Sequence, residues 1–115
     1  MPLLKLETNV GITEEKRNAL LAQLSRVVAE ALGKPEQYVM VSVSNAAMVM
    51  SGKVGPAVFG DLRSIGGLGK EANKKIAQKL TKALQEGLGV SPERVYLNFA
   101  DVAAEDWGWD GGTFA

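Results

Sequence analysis

Ala31-Leu32-Gly33-Lys34-Pro35-Glu36 is echoed later in the chain by Gly87-Leu88-Gly89-Val90-Ser91-Pro92-Glu93, with one inserted residue. Each copy reads as the end of a helix. A glycine supplies the left-handed stop and a proline forbids continuation. A β-branched run follows each copy: Tyr38-Val39-Met40-Val41-Ser42-Val43 after the first, and a strand over Arg94 to Phe99 after the second. Working outward from the first copy, Leu3 to Thr8 reads as a strand. The helix after it opens at Thr13 as N-cap, with Glu14 and Glu15 in its positive first turn and Leu20, Leu24, Val27, Val28 and Ala31 as core stripe. Working outward from the second, a strand near Ala57 to Ile65 leads through Gly66-Gly67-Leu68-Gly69 into a helix over about Lys70 to Leu88. Ile76, Leu80, Ala83, Leu84 and Leu88 share one face of that helix.

The chain is therefore two β-α-β units in pseudo-repeat. Crossover handedness places both helices on one face of a four-stranded sheet, an α+β fold in a single domain over 1–115. Neighbours such as Val39, Met40 and Val41 point to opposite sides of a strand, so the sheet is expected to be apolar on both faces. One β-α-β layer covers only one of them, and oligomerisation is the simplest cover for the other. The tail from Asp101 to Ala115, with Trp107, Trp109 and Phe114 among glycines, is too short for a domain and is expected to pack on the sheet or on a neighbouring subunit.

Composition narrows the chemistry by subtraction. At 115 residues, 46% hydrophobic and 23% charged, the chain has the make-up of one compact domain. Thirteen basic residues balance thirteen acidic ones, so no net field favours nucleic acid or an anionic membrane as partner. No apolar run reaches a membrane span, and Met1-Pro2-Leu3-Leu4-Lys5 lacks a basic leader region, which reads as cytoplasmic. There is no Cys and no His, so a disulfide frame, a thiolate nucleophile, a thiolate zinc site and an imidazole base are all excluded. Carboxylates, Lys, Tyr and the terminal amine remain as proton carriers.

Several motifs, in order along the whole chain, resemble the tautomerases typified by macrophage migration inhibitory factor and D-dopachrome tautomerase. They are Met1-Pro2, Thr8-Asn9-Val10, Gly33-Lys34-Pro35 with Gln37-Tyr38, Ser64-Ile65-Gly66 with Leu68-Gly69, Ser91-Pro92-Glu93-Arg94-Val95-Tyr96-Leu97-Asn98, and Gly108-Trp109 with Thr113-Phe114-Ala115. The resemblance implies a homotrimer with active sites between subunits, no cofactor, no metal, and keto-enol tautomerase activity on a small aromatic α-keto acid such as phenylpyruvate. It makes Pro2, exposed by removal of Met1, the catalytic base. It makes Lys34 and the backbone N–H of Ile65 the carboxylate clamp, and Tyr38, Tyr96, Asn98, Trp109 and Phe114 pocket residues, with Tyr96 and Asn98 coming from a neighbouring subunit.

Each of these has a plainer reading in the bare sequence. Pro is tolerated at the first residue of a strand, a cation after a helix complements its negative end, and strand aromatics most often pack. A non-catalytic binding trimer with a vestigial site is thus the alternative to the enzyme. Gly67-Leu68-Gly69-Lys70-Glu71-Ala72 also fits a dinucleotide fingerprint, but too few strands remain for a doubly wound sheet, and the glycines read better as turn residues needing positive φ. The chain departs from the family at Ala57-Val58-Phe59-Gly60, where the animal cytokines carry a thiol pair, so thiol oxidoreductase chemistry is excluded. Gly55 and Ala46 replace acidic residues, so the resemblance does not extend to cytokine signalling. Arg63 and Trp107 mark where substrate preference is expected to differ.

Overall fold

A computed structural model describes residues 1–115. Strand β1 (Leu3–Thr8), helix α1 (Glu14–Leu32) and strand β2 (Met40–Asn45) form the first unit. Strand β3 (Val58–Ser64), helix α2 (Lys70–Leu88) and strand β4 (Val95–Asp101) form the second. The repeat read from the helix ends is real. Both helices stop at a left-handed glycine, Gly33 at φ 64° and Gly89 at φ 69°. Each is followed by one 3-10 turn, Glu36–Tyr38 or Pro92–Arg94, before the strand. At the other end of α1 the Thr13 hydroxyl accepts from the Lys16 N–H at 3.2 Å, as its N-cap position requires.

Those turns shift both predicted strands toward the C-terminus. Tyr38 closes a turn rather than opening β2, because its N–H donates to the Pro35 carbonyl at 3.1 Å and the Val39 N–H donates to Glu36 at 2.9 Å. Arg94 is likewise taken into a turn by its bond to the Ser91 carbonyl, so β4 starts at Val95. The expected strand from Ala57 to Ile65 is shorter by one residue at each end. On α1 the buried stripe is Leu20, Leu24, Val28 and Leu32, with Val27 and Ala31 at its rim. In the glycine turn, Gly66 (φ 72°) and Gly67 (φ 79°) need the positive region as expected. Gly69 does not: its φ of 164° is extended backbone, and its N–H donates to the Asn73 side chain.

The sheet order is β2-β1-β3-β4, with parallel outer pairs and an antiparallel centre where Leu6 faces Gly60. Both helices cover the same side. Leu4, Leu6, Val58 and Leu62 of the strands join Leu24 and Val28 of α1 and Ile76, Leu80 and Leu84 of α2 in one buried cluster. Gly60 lets the strands meet that core, since a Cβ there would lie 2.6 Å from the Leu97 side chain and 2.9 Å from Leu6. Gly60→Ala is expected to destabilise the fold by ~1–3 kcal/mol through overpacking. Denaturant unfolding reads it, and an unchanged midpoint would mean that the core yields freely.

The uncovered face corrects the expectation of a sheet apolar on both sides. Its rows, read across the register, are Met40-Leu3-Arg63-Ala100, then Ser42-Lys5-Asp61-Asn98, then Ser44-Glu7-Phe59-Tyr96. A polar band thus runs between two partly apolar rows, and Met40 and Tyr96 are each 66% exposed. Strand parity explains the discrepancy: the valines flanking Met40 face the helices, and the open positions of β2 after Met40 are serines.

The loop between β2 and β3 is tied to β4 by Arg94. Its Nε donates to the Pro56 carbonyl at 2.8 Å, Nη1 to Met50 at 3.1 Å, and Nη2 to Lys53 and Gly55 at 3.1 and 3.3 Å. The tail turns through Ala104–Asp106 into a hairpin of β5 (Gly108–Trp109) and β6 (Gly112–Thr113). No helix is long and apolar enough to cross a membrane.

Candidate active site

The start of β1 lies at the floor of a cleft of about 520 Å³. Pro2 is buried there, and its carbonyl is pinned by the Met40 N–H at 3.0 Å. Met1, Leu3, Val39 and Met40 line the cleft beside it, and Val102, Trp107 and Gly108 contribute from the tail. Tyr38, Trp109 and Phe114, expected as pocket residues, do line it. They form one aromatic wall in which the Trp109 and Phe114 rings stack 5.5 Å apart, and Tyr38 meets each edge-on at 5.7 and 6.1 Å. The hairpin that presents Trp109 turns at Asp110 (φ 50°) and Gly111 (φ 79°). Positive φ at both central residues is the two-residue hairpin geometry that an Asp-Gly pair favours, a signal present in the sequence and not read there. The Phe114 N–H then bonds back to the Trp107 carbonyl at 3.2 Å, which fixes the wall.

Lys34 and Ile65, far apart in the chain, meet next to this floor. The Lys34 ammonium donates to the Ile65 carbonyl at 2.9 Å and keeps two N–H donors. None of the chain's turn, loop or side-chain hydrogen bonds is donated by the Ile65 N–H. Gly67, whose φ of 79° suits glycine, turns the chain there within ordinary contact of Leu32 and the Lys34 side chain. Neither Lys34 nor Ile65 forms part of the cleft wall itself. The terminal amine, carried by Met1, is held below its ordinary value of 8.0, chiefly because burial disfavours the ammonium and secondarily because the Lys34 charge repels it.

Tyr96 and Asn98 are not brought to the cleft by their own chain. They stand on the open face of β4, across β3 from β1, and Tyr96 borders a separate groove with Phe59 and Met50. Arg63 and Trp107 do line the cleft. Arg63 is 56% exposed and makes one 3.2 Å contact with Asp61, an ion pair of the kind worth ~0–1 kcal/mol. Gln37 and Asp106 also line the cleft and were missed in the sequence. Gln37 adjoins Tyr38 and was findable by adjacency, whereas Asp106 reaches the cleft only through the fold of the tail. No group of three His, Cys, Asp or Glu side chains is placed to hold a metal ion.

The profile of the family described as Macrophage migration inhibitory factor (MIF) matches residues 1–115. The chain belongs to the MIF family. It is 40% identical over 115 residues to a MIF homolog of Trichuris trichiura, covering 99% of this chain and 100% of that one. It is 37% identical over 116 residues to the MIF of Meriones unguiculatus, covering both chains completely. Among solved structures, the MIF homologue of Prochlorococcus marinus superposes with a TM-score of 0.93 at 35% identity, covering 98% and 99% of the two chains. The MIF-like protein of Entamoeba histolytica superposes at 0.92 with 28% identity, covering 97% of each. The two-helix, four-stranded sheet is therefore the MIF fold, and the dinucleotide alternative is set aside.

Proposed function

We infer that this MIF-family chain is a keto-enol tautomerase acting on a small aromatic α-keto acid such as phenylpyruvate, with the secondary amine of Pro2 as general base once Met1 is removed. The observation that carries this reading is Pro2 buried at the floor of a largely apolar cleft, next to a terminal amine, that of Met1, which burial and then the Lys34 charge hold below its ordinary value. A neutral amine at pH 7 accepts the proton from the carbon beside the keto group. The electron pair of the broken C–H bond forms the new C=C bond, the carbonyl π pair moves onto oxygen, and the amine delivers the proton there to give the enol. Such a transfer needs no electron acceptor, so the reading includes no cofactor.

The two free donors of Lys34 and the N–H of Ile65 form the seat for the substrate carboxylate, and Tyr38, Trp109 and Phe114 hold the ring. Tyr96 and Asn98 complete the site from a neighbouring copy in a homotrimer. The half-apolar, uncovered sheet face supports that assembly. The reading extends to a cytoplasmic protein with neither nucleic acid nor membrane as partner, in keeping with its balanced charge. Protein whose N-terminus is verified as Pro2 is expected to turn over phenylpyruvate and to have the mass of three chains in solution. Background turnover by that protein would leave a binding trimer instead, and full activity in a monomer would remove Tyr96 and Asn98 from the site.

A further inference from the structure

We propose that Arg63 is a second anion contact in the cleft, so that the site also takes α-keto acids carrying a second carboxylate. The proposal rests on the tautomerase reading of this site. Arg63 stands directly across the β1–β3 ladder from Leu3, next to the residue that carries the proposed base. Ile65, whose carbonyl holds the Lys34 ammonium, follows two residues later, a span of at most ~7 Å of backbone. Arg63 lines the cleft and Lys34 is held beside it by a residue two positions further along the same strand end, so two cationic side chains serve one site.

The guanidinium is free to take the second charge. Only Nη2 is engaged, by Asp61, while Nε and Nη1 make no hydrogen bond within the chain. Nη2 carries two N–H groups and Asp61 takes one of them, so of the two forks that Nη2 shares with Nε and with Nη1, one stays open to a carboxylate. Asp106, the cleft's other charged side chain, is not within ion-pair distance of it. Arg94 provides the contrast, since its guanidinium is spent on four backbone carbonyls of the β2–β3 loop.

The test compares kcat/KM for the enols of oxaloacetate and phenylpyruvate in wild-type protein, Arg63→Gln and Arg63→Lys. The oxaloacetate-to-phenylpyruvate ratio is expected to fall by about ten-fold or more in Arg63→Gln, the loss of one charge-assisted hydrogen bond, mainly through KM, and less in Arg63→Lys. A ratio that stays constant across the three proteins overturns the proposal, whatever happens to absolute rates. Calorimetric binding of succinate against butyrate provides a readout independent of turnover. Wild-type protein is expected to prefer succinate and Arg63→Gln to lose that preference, while equal binding in wild-type counts against Arg63. Absence of turnover on both enols would defeat the tautomerase reading alone, and the succinate preference would still decide the role of Arg63.

Discussion

Pro2→Gly is expected to lower phenylpyruvate turnover by ~10²- to 10⁴-fold, the range typical for loss of a positioned general base. The variant still exposes an amine after Met1 is cleaved, so the loss would come from placement and environment. Proline fixes φ and directs its nitrogen from a ring that is buried at the cleft floor. Glycine frees that torsion and leaves a gap through which water reaches the amine and favours its protonated form. Wild-type protein with Met1 retained provides the companion measurement, because its proline nitrogen is an amide with no basic lone pair. Both forms should keep the circular dichroism and mass of the wild type. Turnover close to wild type in either one would remove Pro2 as the base.

Lys34→Ala is expected to raise KM for phenylpyruvate by roughly 10- to 100-fold, matching the ~1.5–3 kcal/mol of a hydrogen bond to a charged group. The ammonium is already oriented by the Ile65 carbonyl at 2.9 Å, so little ordering remains to be done when a carboxylate arrives. The same substitution is expected to change the pH profile in a definite direction. The base works in its neutral form, so kcat/KM climbs as pH rises through the amine pKa. At the Met1 amine burial is the larger cause of the depressed pKa and Lys34 the second, and the Lys34 charge acts in the same direction on the neighbouring Pro2 nitrogen once it is the terminus. Removing Lys34 therefore raises that pKa part of the way back, and the acidic limb of the profile moves to higher pH. An unchanged KM together with an unmoved limb would reduce Lys34 to a cation complementing the end of α1.

The two effects are separable in one data set. Pro2→Gly strikes kcat, since it removes a group that acts only in the transition state, while Lys34→Ala strikes KM because the carboxylate is held in ground and transition states alike. If both variants altered kcat and KM in the same proportions, the residues would share a role in folding the floor rather than divide the chemistry between them.

Most of the fold was legible because its punctuation is local. Gly33 and Gly89 take the left-handed conformation that other residues adopt only with strain, and Thr13 offers an oxygen to a helix that lacks an acceptor for its first amides. Where reading by strand propensity failed, a competing local bond had won: Tyr38 and Arg94 are β-favouring or neutral by type, yet the proline-led turns before them close first. The polar band on the open face was missed because the alternation was judged from Val39, Met40 and Val41, which lie at the one end of β2 where the outward residue is apolar.

The site divides in the same way. The sequence alone determined which groups are available: with neither His nor Cys in the chain, a terminal amine, lysines, carboxylates and tyrosines are the whole repertoire for proton transfer. It also determined the two repeats, since helix stops and strand starts depend on backbone sterics within a few residues. Only the tertiary structure decided which of those groups meet. The antiparallel pairing of β1 with β3 sets Leu3 across from Arg63, the glycine turn after β3 brings Ile65 to Lys34, and the Asp110-Gly111 hairpin returns Trp109 and Phe114 to Tyr38. These contacts join residues tens of positions apart, so no local rule specifies them. They follow from burying one apolar face of the sheet beneath two helices, which fixes the register and leaves Pro2 at the floor of a cleft, beside a terminal amine whose charge is disfavoured.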